Sequence, residues 1–168
     1  MKKISYPWWF NHFGKNEKKF LLDSFNNKNF TYGEVCQTFE LEFARLIGAK
    51  YAIITNSGTS ALAMSLIANN IGKGDEVILP SISWIATAQA VHMTGAKVIF
   101  ADVEDEKPII NLNCLEKLIT SRTKAIIPVH YNGRVVDTSK LKKIINNNKI
   151  AIIEDCCKSM FSQNYSLS

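Results

Sequence analysis

The spacing of apolar residues changes character near residue 50. Before that point the pattern is helical. Val35, Phe39, Phe43, Leu46 and Ile47 fall on one face of a helix, and Gly48 supplies a C-terminal stop. Thr31-Tyr32-Gly33-Glu34 has capping-box spacing, with a hydroxyl able to meet first-turn amides and a carboxylate able to reach back. Most of the aromatic residues lie in this stretch, Trp8, Trp9, Phe10 and Phe13 among them. Residues 1–50 are therefore expected to form a helical docking segment.

From residue 51 the chain alternates short apolar runs with helical periods. The runs are Tyr51–Thr55, Glu76–Pro80, Lys97–Val103, Ala125–His130 and Ile150–Asp155. They are rich in Ile, Val and Ala and lack alternating polarity, which predicts strands buried on both faces. Helical stretches fall near 59–70, 84–94, 113–119 and 138–147, and Gly72-Lys73-Gly74-Asp75 and Asn132-Gly133 supply turns. Strand and helix in this rhythm predict an α/β fold, a parallel sheet covered by helices, over 51–168. No internal repeat, low-complexity tract or long linker interrupts it.

Composition narrows the classes. A chain of 168 residues with 46% apolar, 21% charged and 10% aromatic content can bury a core as an ordinary globular protein. No run approaches the roughly 18 apolar residues of a membrane span. Lys2 and Lys3 are not followed by an apolar stretch, so no secretory leader is expected and the cytoplasm is the expected location. The net charge of +5 is spread out; its densest group, Lys140, Lys142, Lys143 and Lys149, belongs to an amphipathic helix and the loop after it. Without aromatics interleaved among the basic residues, nucleic acid is not an expected partner. Cys36, Cys114, Cys156 and Cys157 form no C-x-x-C pair and lack zinc-ligand spacing, so reduced and mostly buried thiols are expected, with no metal.

Ligands of parallel sheets bind beyond the carboxyl ends of the strands, so the residues there carry the chemistry. After the first run comes Asn56-Ser57-Gly58-Thr59-Ser60, a turn opening a helix. Its free amides and dipole make a phosphate cradle, or the hydroxyls simply cap the helix. Neither G-x-x-x-x-G-K-[ST] nor G-x-G-x-x-G is present, and no acidic residue closes the second run, which disfavours an ordinary Rossmann-like nucleotide domain. Trp84, after the second run, is either a packing aromatic or a surface on which a planar ligand stacks. Asp155, after Glu154 at the end of the fifth run, pairs with a cationic ring nitrogen or caps a helix. His130 lines the same rim or serves as a hydrogen-bonded scaffold. His12 and His92 read as structural.

These pieces, in this order and spacing, resemble the DegT/DnrJ/EryC1/StrS family, the pyridoxal-phosphate (PLP) aminotransferases of amino-sugar biosynthesis. The similar stretch runs from about Thr31 to Asp155. It takes in Tyr32-Gly33-Glu34-Val35, Asn56 to Leu62, and Gly74-Asp75-Glu76-Val77-Ile78-Leu79-Pro80-Ser81 with Trp84 and Ala86-Thr87-Ala88. It continues with Phe100-Ala101-Asp102-Val103, Arg122 to His130, and Ile153-Glu154-Asp155.

The resemblance implies the three-layer, parallel-sheet large domain of fold-type I PLP enzymes, here incomplete. It implies that Gly58, Thr59 and Ser60 hold the cofactor phosphate, that Trp84 stacks on the pyridine ring, and that Asp155 keeps the ring nitrogen protonated. The implied substrates are a nucleotide-linked keto sugar and an amino-acid donor, and the implied assembly is a homodimer with shared sites. Two departures stand out. Lys158 occupies the position where the family usually has a Gln or His facing the cofactor's phenolic oxygen. The family's Schiff-base lysine lies further downstream, and residues 160–168 no longer follow its pattern. This chain is thus expected to carry no catalytic residue of its own and to be inactive as an aminotransferase. The alternative is a non-catalytic binding or assembly remnant of the family.

Overall fold

The computed structural model describes residues 13–28, 30–146 and 149–162. His12 and the aromatics Trp8, Trp9 and Phe10 lie outside the described residues. The chain divides into two compact units, residues 1–54 and 55–168.

In the first unit, helix α1 (Lys15–Asn26) begins where the Glu17 carboxylate accepts the Gly14 amide at 2.7 Å. That contact satisfies one of the free first-turn donors. Helix α2 (Glu34–Ile47) has Gly33 as its N-cap with no side-chain cap bond, so the expected Thr31–Glu34 capping box does not form. Gly33, not Thr31, stands at the capping position, and it has no side chain to offer. The helix ends as expected at Gly48, whose φ of 68° suits glycine. Phe39 and Phe43 stack at 5.6 Å on the apolar face of α2, yet Ala44 is the helix's one buried residue. Glu40 accepts the Tyr32 hydroxyl at 2.7 Å and the Ile54 amide at 2.8 Å, tying the end of the unit back to α2.

That tie marks a correction. Tyr51–Thr55 is not a strand, and Tyr51 and Ile53 are each 73% exposed. A parallel strand exists only through a ladder with its neighbours. Here the Ile54 amide goes to a carboxylate instead of a ladder. Apolar content revealed a segment that favours burial, not a partner for its backbone.

In the second unit a four-stranded parallel sheet has the order β2-β1-β5-β6. Its strands are β1 (Glu76–Pro80), β2 (Lys97–Ala101), β5 (Thr123–Ile126) and β6 (Ala151–Ile152). The register sets Ile78 beside Ile99 and Ile126, and Ile126 beside Ile152. Helices α3 (Gly58–Ala68), α4 (Ile85–Met93), α5 (Leu115–Leu118) and α6 (Thr138–Ile145) lie near the expected positions. Alternation along the strands divides the core between two faces. Val77, Leu79, Ala125 and Ile127 pack with Leu62 and Leu66 of α3 and Ala90 and Val91 of α4. Ile78 and Ile126 pack oppositely with Leu115 of α5 and Leu141 and Ile145 of α6. The result is the expected α/β/α layering, and β1 is buried at every position.

Three runs proved shorter than expected, the fourth of the five because β5 ends at Ile126 and not at His130. The run 97–103 leaves the sheet after Ala101, and Val103–Glu104 (β3) turns back on Lys107–Ile110 (β4) as an antiparallel pair. The fifth run pairs through Ala151 and Ile152, then again only at Asp155, which bridges to Val129. Asn132 and Gly133, at φ 51° and 79°, form the expected tight turn after β5.

Candidate functional site at the carboxyl rim of the sheet

Helix α3 starts just after the first expected run and supplies one wall. Ser57 is its N-cap: its hydroxyl accepts the Ser60 amide at 3.2 Å and lies 3.0 Å from the Ser60 hydroxyl. Thr55 steadies the turn by donating its hydroxyl to the Ser57 carbonyl at 2.9 Å. Among the described residues the amides of Gly58 and Thr59 have no protein acceptor. Two unpaired N–H groups at the positive end of a helix dipole favour an anion. Thus Ser57 does the capping, while Gly58 and Thr59 stay available.

Gly58 is required for a second reason. A Cβ placed there would meet the Cys157 sulfur at 2.8 Å, against a side chain too short to retreat far. The glycine therefore lets the α3 N-terminus approach the chain just after Asp155.

Asp155 is 7% exposed. Its backbone is clamped in the sheet by the amide of His130, which it accepts, and by the carbonyl of Pro128, to which it donates. One carboxylate oxygen accepts the Thr87 hydroxyl at 3.0 Å and the other accepts the Cys157 amide at 3.1 Å. Among the described residues no helix follows, as 156–162 are turns and irregular backbone, so the helix-capping alternative falls away. Thr87 is fully buried in α4 and also contacts the Ser83 hydroxyl at 2.8 Å. A carboxylate with two donors retains acceptor capacity for another.

Trp84 immediately precedes α4, with its carbonyl accepting the Thr87 amide at 3.1 Å. It is 67% exposed, which removes the packing-aromatic alternative. Lys158 sets its ammonium 5.9 Å from the Trp84 ring centroid and 5.7 Å from that of Tyr131. A continuous series of contacts therefore joins the α3 N-terminus, Cys157, Asp155, Thr87, Trp84 and Lys158.

His130 is a scaffold. Its Nδ1 accepts the Val136 amide at 3.0 Å, so its proton sits on Nε2 and is donated to Glu154 at 2.9 Å. Ser159 donates to the His130 carbonyl at 2.7 Å and accepts the Gly133 amide at 2.8 Å, pinning the turn beside the rim. His92 lies exposed in the last turn of α4.

The cysteines depart from expectation. All four thiols are free, but Cys156 and Cys157 are exposed and Cys36 and Cys114 only half-buried. Partial desolvation first, and then the adjacent Asp155 carboxylate, push the Cys157 thiol up to about 11. Desolvation and then the charges of Glu154 and Asp155 raise that of Cys156. Both are held as thiols at neutral pH, unsuited to nucleophilic roles.

Sequence reasoning did not single out Thr87, Cys157 or Tyr131 as parts of the rim. Thr87 carried a readable signal: a hydroxyl among alanines on an inward helix face needs a buried partner. Cys157 and Tyr131 carried none, because their placement depends on backbone turns.

These groups fit the cofactor that the resemblance implies. Two free amides suit a phosphate, the exposed indole suits a planar ring, and a buried carboxylate with spare acceptor capacity suits a protonated ring nitrogen. The close packing of Gly58 on Cys157 brings the first and last of these together.

Comparison with known proteins identifies the family. The DegT/DnrJ/EryC1/StrS aminotransferase family matches residues 11–165. The chain is 35% identical over 149 residues to the spore coat polysaccharide biosynthesis protein SpsC of Bacillus subtilis strain 168, covering 89% of this chain and 38% of that protein. It is similar to a solved GDP-4-keto-6-deoxymannose-3-dehydratase with a trapped PLP-glutamate geminal diamine, with a TM-score of 0.90 and 30% identity over 96% of this chain and 44% of that one. It is also similar to an aminotransferase from Psychrobacter cryohalolentis, with a TM-score of 0.85 and 32% identity over 92% of this chain and 39% of that one. The chain thus spans about two fifths of the length of these relatives.

Proposed function

This chain belongs to the DegT/DnrJ/EryC1/StrS aminotransferase family, and we propose that it builds the PLP-binding part of a transaminase. The substrates proposed are a nucleotide-linked keto sugar and an amino-acid donor, in amino-sugar or polysaccharide biosynthesis. The observation that carries the reading is the convergence at one rim of Asp155, the free amides of α3 and the exposed Trp84. The names of the relatives point the same way, one to polysaccharide biosynthesis and one to a GDP-linked keto sugar with PLP.

Bound PLP supplies an electron sink for breaking a bond at an amino-acid α-carbon. The chain's residues hold and polarise it. The amides of Gly58 and Thr59 and the Ser60 hydroxyl take the phosphate. Trp84 supports one face of the ring. Asp155, fixed by Thr87 and Cys157, keeps a proton on the ring nitrogen, and Lys158 meets the phenolic edge. The proton at the α-carbon needs a separate positioned base. None of the rim residues named above is assigned that role: they are proposed to bind and orient the cofactor, and the working assembly is proposed to be a homodimer.

Fluorescence titration of the chain with PLP tests the reading, since a ring stacked on Trp84 quenches its emission. The expected result is saturable quenching that disappears in Trp84→Phe. Failure of PLP to quench, or equal quenching in Trp84→Phe, would overturn it.

A further inference from the structure

Among the described residues, Lys158 is a lysine that the fold carries to the carboxyl rim. Lys124 and Lys149, by contrast, adjoin the starts of β5 and β6 at the other end of the sheet. The Lys158 side chain is exposed, and among the described residues it makes no ion pair; its ammonium rests over the rings of Trp84 and Tyr131. A cation resting only on an exposed indole and a half-buried phenol ring is weakly held and easily displaced.

Resting on the functional reading above, we propose that Lys158 captures the carbonyl of pyridoxal phosphate in a covalent, reversible link. A planar ring settling on the exposed indole takes the surface against which the ammonium now lies. The amine is thereby moved to the edge of that ring, where the cofactor's aldehyde and phenolic oxygen are neighbours. Asp155 and the α3 amides fix the ring's other two polar attachments, so its rotation on the indole is restrained. The amine and aldehyde are then held together, and the reaction gains the advantage of an intramolecular step.

The chemistry balances without an oxidant or reductant. The Lys158 ammonium releases a proton to solvent, which its exposure allows. The freed lone pair forms a bond to the aldehyde carbon, the carbonyl oxygen departs as water, and a carbon–nitrogen double bond remains. Capture of this kind needs no additional base in the rim. It is a mode of cofactor retention and is separate from turnover.

The test is reductive trapping on the 168-residue chain. The chain is mixed with PLP, treated with sodium borohydride, digested and mapped by mass spectrometry. The expected result is a phosphopyridoxyl adduct on the peptide carrying Lys158, in at least about tenfold excess over any other lysine, because proximity favours the held amine. Lys158→Arg should lose that adduct, since arginine keeps the charge but forms no such link, and Trp84 quenching measured in the same variant reports separately how much PLP the other rim groups still hold. Adducts scattered over surface lysines with no excess at Lys158, while quenching persists, would overturn the inference and leave the functional reading standing. Absence of both quenching and adduct would remove both.

Discussion

The two ends of the one parallel sheet use their buried carboxylates differently. At the amino end, Glu76 opens β1 and is 3% exposed. It accepts the Thr120 hydroxyl at 2.6 Å and two nitrogens of Arg122 at 3.1 and 2.7 Å. Every donor comes from the loop that leads into β5, and the Arg122 carbonyl in turn accepts the Glu76 amide at 2.8 Å. This is a closed set, and it fastens a loop to a strand. At the carboxyl end, Asp155 is nearly as buried but receives one donor on each oxygen. Around it lie two unpaired amides, an uncovered indole and an ammonium without a carboxylate. Saturation marks the amino end as structural; the unfilled groups are what the proposed function assigns to a ligand at the carboxyl end.

The sharpest test exchanges charge for amide at each end. Asp155→Asn preserves shape and an acceptor but removes the charge proposed to face the ring nitrogen. It should weaken PLP binding by roughly 10- to 100-fold, the loss of a charge-assisted hydrogen bond worth about 1.5–3 kcal/mol. Glu76→Gln should leave PLP affinity within about twofold of the parent while lowering the melting midpoint, because its donors serve the fold. Equal affinity losses at the two ends would erase the distinction. Next in size is Trp84→Ala, expected to cost PLP binding about 1–1.5 kcal/mol of aromatic stacking, roughly five- to tenfold. The residue is exposed, so thermal stability should hold.

A smaller effect belongs to the cap of α3. Ser57→Ala removes the acceptor for the Ser60 amide and should reduce stability by about 1 kcal/mol in chemical denaturation. The Gly58 and Thr59 amides keep their places, so binding should change little. A large loss of PLP affinity would mean that Ser57 itself belongs to the phosphate cradle.

The legibility of the two ends differed for physical reasons. The run Glu76–Pro80 matched β1 at both bounds, because a strand buried on both faces must be apolar throughout. Asp155 and Trp84 were readable as rim residues because each lies within four residues of the carboxyl end of a parallel strand, where the chain must turn out of the sheet. What could not be read was pairing. Tyr51–Thr55 had the composition of a strand, but hydrogen-bond partners are not written into composition, and the segment stayed unladdered. The antiparallel excursion of β3 and β4 was missed for a similar reason: Lys97–Val103 is one apolar run, and the strand leaves its ladder in the middle of it. The expected capping box at Thr31 failed because side-chain spacing does not decide which residue becomes the cap. Roles assigned by resemblance to Gly58, Thr59, Ser60 and Lys158 rested on motif order. The structure adds what order alone could not, the contact of Cys157 with Gly58 that folds the two motifs together.

The finest separation of the two ends is their response to acid. The Thr120 hydroxyl first, and then Arg122, hold the Glu76 carboxyl below the usual carboxylate range, outweighing the burial that opposes them. In the unfolded chain this group titrates near its ordinary value of about 4.3. Between the two values the unfolded state binds the proton and the native state does not, so stability rises with pH there. The contribution is complete above the unfolded value and is lost as pH falls through the native one. Glu76→Gln removes the titrating group, so its stability should depend less on pH than the parent's between about pH 5 and pH 3. Thermal melts of both proteins across that window measure the difference. Parallel pH profiles would show that the closed amino-end cluster contributes nothing to acid sensitivity, and that the carboxylates responsible lie elsewhere, the rim included.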